Sequence, residues 1–175
     1  MMMTLKKLTL LALATLALAA CGGSDTPAID AAPHIKGTVL GAVFNAQTSL
    51  SAHDHDEGAT LHFDGSVTSG ESEQAYWEVY GLPKAKGTYA CGTSVSAESS
   101  TLEIYFEDYR NGAEDYYFAD GTNGSSCTIT VEDVSATEIS GRFEAKVAKD
   151  VEGNPISQVT NGSFRVPLDT AEPVV

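Results

Sequence analysis

The chain has 175 residues, 24 of them acidic and 10 basic, for a formal charge of −14 at neutral pH. That balance excludes nucleic acid as a partner, because such binding needs a basic footprint, and it excludes docking on anionic lipid by charge. The length allows one ordinary domain plus extensions, large enough to bury a core without a metal.

The first element in chain order is an export signal over residues 1–20. Lys6 and Lys7 precede an uncharged run from Leu8 to Ala20, rich in Leu and Ala. The run is shorter than the roughly 20 apolar residues a membrane-spanning helix needs, and its length and flanks suit the apolar core of a signal peptide. Leu18-Ala19-Ala20-Cys21 resembles the lipobox of bacterial lipoproteins. The resemblance implies cleavage before Cys21, a diacylglyceryl thioether on its sulfur, and attachment to a membrane through that lipid. Gly22 stands where an Asp would favour the inner membrane, so the outer membrane is expected. All 24 acidic residues lie beyond Cys21 with only eight basic ones, so the processed chain carries −16. Residues 21–34 read as the lipidated Cys and a flexible tether. The stretch from Gly22 to Pro33 has one larger apolar residue, Ile29, and cannot bury enough surface to order itself.

From residue 35 to 168 the hydrophobic pattern has period two, the signature of half-buried strands. Gly37 to Phe44 reads as a strand, apolar on both faces. Leu50 and Ala52 point inward beside Ser51, His53 and His55. Ala59, Leu61 and Phe63 alternate with Thr60, His62 and Asp64. Ala75, Trp77 and Val79 alternate with Gln74, Tyr76, Glu78 and Tyr80, and Leu102, Ile104 and Phe106 with Glu103, Tyr105 and Glu107. Cys127, Ile129 and Val131 share one face. Ile139, Gly141, Phe143, Ala145 and Val147 do the same, as do Phe164, Val166 and Leu168. Glu152-Gly153-Asn154-Pro155 joins the last two runs into a long hairpin. Asp64-Gly65, Asn111-Gly112, Asp120-Gly121 and Asn123-Gly124 read as further turns. The expected fold is all-β, an antiparallel sandwich or flattened barrel of about nine or ten strands, followed by a tail over residues 169–175. Alternation is the same in both architectures and leaves the choice open.

With Cys21 taken by lipid, Cys91 and Cys127 remain, and they allow one pairing. Both fall on inward parities, so a disulfide is expected outside the cytoplasm. The runs Gly87-Thr88-Tyr89-Ala90-Cys91, Ser126 to Val131, Ile139 to Phe143 and Val159 to Phe164 resemble small, uncharacterised β-sandwich lipoproteins of Gram-negative bacteria. The resemblance implies the fold and no reaction.

Three of the four histidines, His53, His55 and His62, lie within ten residues. On a local hairpin residue 53 would face 62 and residue 55 would face 60, putting three imidazoles on one outer face. That layout can ligate Zn²⁺ or Cu²⁺, and Asp54, Asp56 and Glu57 could complete a shell. It is similar to the ligand arrangement of carbonic anhydrases in geometry alone. Against it stands a plain solvated hairpin tip. Asp54-x-Asp56-x-Gly58 also resembles a fragment of a calcium loop, without the full twelve-residue motif. The outward tyrosines Tyr76, Tyr80 and Tyr105, with Tyr109, Tyr116 and Tyr117, suit sugar or protein contacts. No nucleophile elbow, spare Cys or phosphate loop appears. The sequence therefore points to a lipid-anchored envelope protein with a non-enzymatic binding or structural role and an envelope protein or glycan as partner. A divalent-metal-binding lipoprotein is the alternative, and a carbohydrate-binding module or an enzyme the remote one.

Overall fold

The computed structural model describes residues 28–55, 59–70, 72–94, 100–110, 112, 114–150 and 156–169. The proposed signal, Cys21, Asp56, Glu57 and the Glu152–Pro155 turn lie outside the described residues. Among the described residues eleven strands form one antiparallel system: β1 (His34–Val39), β2 (Ala42–Ala46), β3 (Thr48–His55), β4 (Thr60–Ser69), β5 (Ser72–Pro83), β6 (Gly87–Ala90), β7 (Glu103–Asp108), β8 (Asp115–Ala119), β9 (Ser126–Val134), β10 (Glu138–Lys149) and β11 (Ile156–Pro167). The all-β expectation holds, as does the long hairpin, which is the β10–β11 pair running from Glu138 opposite Pro167 to Ala148 opposite Ile156.

Strand β10 organises the sheet. One edge pairs with β11 throughout. Its other edge pairs first with β9 and then, at Ala148 and Lys149, with β8. The sheet therefore divides into one layer ordered β6-β9-β10-β11-β1-β2 and another ordered β8-β7-β5-β4-β3. At the far seam, the amide of Asp169 donates to the Ala52 carbonyl at 3.0 Å, joining the end of β11 to β3. The result is a nearly closed, flattened barrel.

Inward side chains from both layers fill the space between them. Trp77 is fully buried, with its ring 4.4 Å from Phe106 and 5.5 Å from Phe143. Phe44 packs edge-on to Phe106 at 4.6 Å, and Phe63 against Phe164 at 5.1 Å. Full burial of each such ring contributes about 1.5–3 kcal/mol. Two glycines make room for two of the rings: Gly141 stands opposite Phe164, and Gly162 opposite Phe143. A methyl group on Gly141 would lie 2.7 Å from Phe164 Cζ and closer still to the Thr130 carbonyl oxygen.

Three local expectations are corrected. Gly37 to Phe44 is the turn region of a hairpin, with Leu40 (φ 51°) and Gly41 (φ 78°) both left-handed. Two successive positive φ angles make the tight turn whose twist matches paired strands, and Leu is an unusual residue for it. Asp64-Gly65 lies inside β4, not in a turn. Its glycine answers to packing, since a Cβ there would meet Leu50 Cδ2 at 2.6 Å. Thr60, expected on an outer face, is buried, and so is Tyr117, one of the tyrosines read as suited to contacts. Thr60 is flanked by His55 and Pro83 on the strands either side. Tyr117 lies two residues from the inward Ala119, and its ring reaches Phe106 at 6.0 Å.

His34 begins β1 and is buried, its ring bonded to the Ala32 carbonyl and to Ser163 Oγ at 2.8 and 3.0 Å. The last part of the expected tether also rests on the domain, because Arg165 Nε donates to the Asp30 carbonyl at 3.0 Å and Lys36 pairs with its carboxylate.

Candidate functional site

Cys91 and Cys127 are bonded, with Cα atoms 5.0 Å apart. The β6–β9 register sets Tyr89 opposite Ile129, which carries Cys91 to a position opposite Cys127. Just beyond, the Gly92 amide donates to the Leu102 carbonyl at 3.0 Å and the Leu102 amide to the Thr93 carbonyl at 2.8 Å. The bridge holds the end of β6 to β9, and these backbone bonds tie the residues just after it to the segment that leads into β7.

The histidine hairpin has the register read from its sequence: His53 opposite His62 and His55 opposite Thr60. The rings nevertheless take separate partners. His53 Nδ1 lies 2.9 Å from Asp169 Oδ2, and its Nε2 3.0 Å from Ser51 Oγ. His62 Nε2 lies 2.9 Å from Glu78 Oε1. His55 Nδ1 lies 3.2 Å from Ser100 Oγ. Asp54 pairs with Lys84. Among the described residues no group of three His, Cys, Asp or Glu side chains is placed to hold a metal ion. Shared parity puts the rings on one face, and in this arrangement their lone pairs are not aimed at one point. Each ring turns to the nearest acceptor or hydroxyl.

His62 joins a larger array. Strand β5 bulges at Tyr80-Gly81, so that both residues stand across from His62, between the pairs Leu61–Leu82 and Phe63–Val79. Gly81 has φ 67°, the left-handed conformation such a bulge requires. The bulge lays the Tyr80 ring flat on the His62 imidazole, 4.1 Å apart and 5° from parallel.

From there the outer face of β4, β5, β7 and β8 is a checkerboard of tyrosines and carboxylates. Tyr76 stands opposite Glu107, Glu78 opposite Tyr105, and Tyr80 opposite Glu103. On the next strand Glu107 faces Tyr116, and Tyr105 faces Phe118. Every tyrosine hydroxyl here donates to a carboxylate. Tyr76 bonds Asp64 at 2.7 Å, Tyr80 bonds Glu78 at 2.6 Å, Tyr105 bonds Glu103 at 2.8 Å and Tyr116 bonds Glu114 at 2.7 Å, while Tyr109 bonds Glu107. Four of these five pairs are Glu-x-Tyr, two residues apart, within β5 and β7 or at the end of β7 and the start of β8. That repeat is visible in the sequence and marks Glu114 as a member, which the outward tyrosines alone did not. Its physical basis is the period of two, which places residues i and i+2 on the same side.

Electrostatics follow from the pairing. Burial, then the hydrogen bond to Glu103 and its charge, push the Tyr105 hydroxyl up to about 12. Burial and bonded carboxylates likewise raise Tyr76, Tyr80 and Tyr109 above the ordinary phenol range. These phenols stay protonated as donors, the opposite of what a catalytic tyrosine base needs. No lysine or arginine pairs with Glu78, Glu103, Glu107 or Glu114 among the described residues. The cations that pair do so with other acids. Glu78, Tyr80, Glu103, Tyr105, Glu107 and Tyr116 line an open groove of about 520 Å³. The array can offer fixed anionic oxygens and aromatic ring surface to a ligand. Comparison with family models, curated proteins and solved structures finds no match to this chain.

Proposed function

We propose that this is a lipid-anchored cell-envelope protein whose β-domain is a non-enzymatic binding module, and that the tyrosine–carboxylate face is its binding surface. The observation that carries the reading is the checkerboard itself: aromatic rings and carboxylates without lysine or arginine partners among the described residues, locked in register, line a groove on one face. Glu78, Glu103 and Glu107 bond tyrosine hydroxyls yet have no lysine or arginine beside them among the described residues, so negative charge is concentrated on one face, as on a surface kept for a cationic partner. The raised tyrosines support a binding role over catalysis. The apolar run before Cys21 supports export and lipidation, and Gly22 supports the outer membrane.

Two measurements test this. Metabolic labelling with a fatty-acid analogue should mark the wild type and spare Cys21→Ala; equal labelling would remove the anchor. A photoreactive phenylalanine at position 105, compared with one at Thr128 on the opposite layer, should give adducts in intact cells from position 105 alone. No adducts, or the same adducts from both positions, would remove the binding face.

A further inference from the structure

We infer that the tyrosine–carboxylate face docks an extended polypeptide segment carrying lysine or arginine at alternate positions. The inference rests on the reading of this face as the binding surface and names what it binds.

Charge selects a cation. Glu78, Glu103 and Glu107 have tyrosine hydroxyls for partners, and Glu78 also has His62. Each carboxylate has several acceptor positions, so one hydroxyl leaves room for a cationic donor. The chain as a whole is strongly acidic, which draws cations toward it and argues against a second copy as the occupant.

Spacing selects an extended chain over an ion. Glu78 lies opposite Tyr105, midway between Glu103 and Glu107 on the neighbouring strand. Measured along the strands, the three carboxylates therefore recur every two residues, about 6.7 Å. A point charge cannot bridge groups so separated, and no three acids or histidines converge among the described residues. The same step separates alternate side chains of an extended peptide, so a strand lying along β5 and β7 with cations at every second position meets all three.

The tyrosines complete the fit. Tyr105 sits between Glu103 and Glu107, with Tyr80 5.8 Å away, edge to face. Aromatic faces at these positions attract ammonium and guanidinium groups and cover their aliphatic stems. The groove, about 520 Å³, has room for a few side chains.

The test uses the mature lipoprotein in detergent micelles and fluorescent synthetic peptides. One peptide alternates Lys and Thr, a second has the same composition with its Lys contiguous, and spermine is the small polycation. The alternating peptide should bind about tenfold tighter than either and weaken as salt rises. Glu→Gln keeps an acceptor for each tyrosine, so the variants should fold. Each of Glu78→Gln, Glu103→Gln and Glu107→Gln should weaken binding about threefold, whereas Glu144→Gln on the other layer should leave it unchanged. Should one of these variants fail to fold, the peptide comparison and the remaining variants still decide. Equal binding of both peptides, equal binding of spermine, or indifference to the three substitutions would overturn the inference. If position 105 still crosslinks in cells when the alternating peptide does not bind, the binding face stands and its occupant is another class. If crosslinking fails too, the face itself is not the binding surface.

Discussion

Gly141→Ala probes the packing of β10 most sharply. The new methyl group would sit 2.7 Å from Phe164 Cζ and nearer still to the Thr130 carbonyl oxygen. The carbonyl is backbone on β9, held by the bulge between Ser140 and Gly141 in the β9–β10 ladder, so relief requires the strands to move apart. Overpacking of this kind costs about 1–3 kcal/mol, and the backbone clash places it near the top. The usual gain of Ala over Gly within a strand, about 0.5–1 kcal/mol, offsets a part. A net loss of about 2 kcal/mol lowers the melting midpoint by roughly 6–10 °C in a domain this size. Scanning calorimetry measures it, with Gly87→Ala as control, because that methyl group would meet only the Tyr89 side chain, at 2.9 Å. A second variant locates the obstacle: Gly141→Ala with Phe164→Leu should remain at least as unstable as the single substitution. Equal midpoints for Gly141→Ala and Gly87→Ala, or recovery in the double variant, would refute the backbone clash.

The Cys91–Cys127 bridge closes a separation of 36 residues, worth about 4 kcal/mol in the chain-entropy model. The Cys91→Ser, Cys127→Ser pair should melt more than 10 °C lower, and an unchanged midpoint would mean the bridge constrains little. Arg110 grips Asp108 with bonds of 2.9 and 2.7 Å, holding that buried carboxyl below the usual range. A lowered pKa in the fold stabilises above the ordinary carboxylate value and is lost as pH falls through the folded one. Urea midpoints should therefore drop below about pH 4, less so in Asp108→Asn, and identical acid limbs would exclude Asp108 as a cause. The raised tyrosines act at the other end. Their contribution is complete below about pH 10 and declines as pH rises toward 12 for Tyr105. Tyrosinate absorbance should show a late-titrating group that Tyr105→Phe removes, and a titration centred wholly on the ordinary phenol value would contradict the pairing.

Period-two alternation by itself determined which side chains face inward. Trp77, Phe106, Phe143 and Phe164 are all buried as their parity requires. Cysteine arithmetic likewise selected Cys91 and Cys127, and the β10–β11 hairpin was legible from two long runs around one turn cluster. These are local properties: a strand's pleat assigns sides to its residues whatever it pairs with. Register and partner choice are not local, and only the tertiary structure decided them. Nothing in β10 alone says that one edge serves β9 and then β8, or that Gly141 must lie under Phe164. Leu40 hid a turn, because the tight β1–β2 pairing imposes a left-handed backbone on a residue that does not favour it. Asp64-Gly65 imitated a turn for the converse reason, since Gly65 answers to Leu50 on a neighbouring strand. The candidate site divides the same way. Its tyrosines and glutamates were readable as outward residues, and their repeat as Glu-x-Tyr. The checkerboard arises only when β5 and β7 pair so that each tyrosine meets a carboxylate across the strand gap, and the Tyr80-Gly81 bulge turns a ring onto His62.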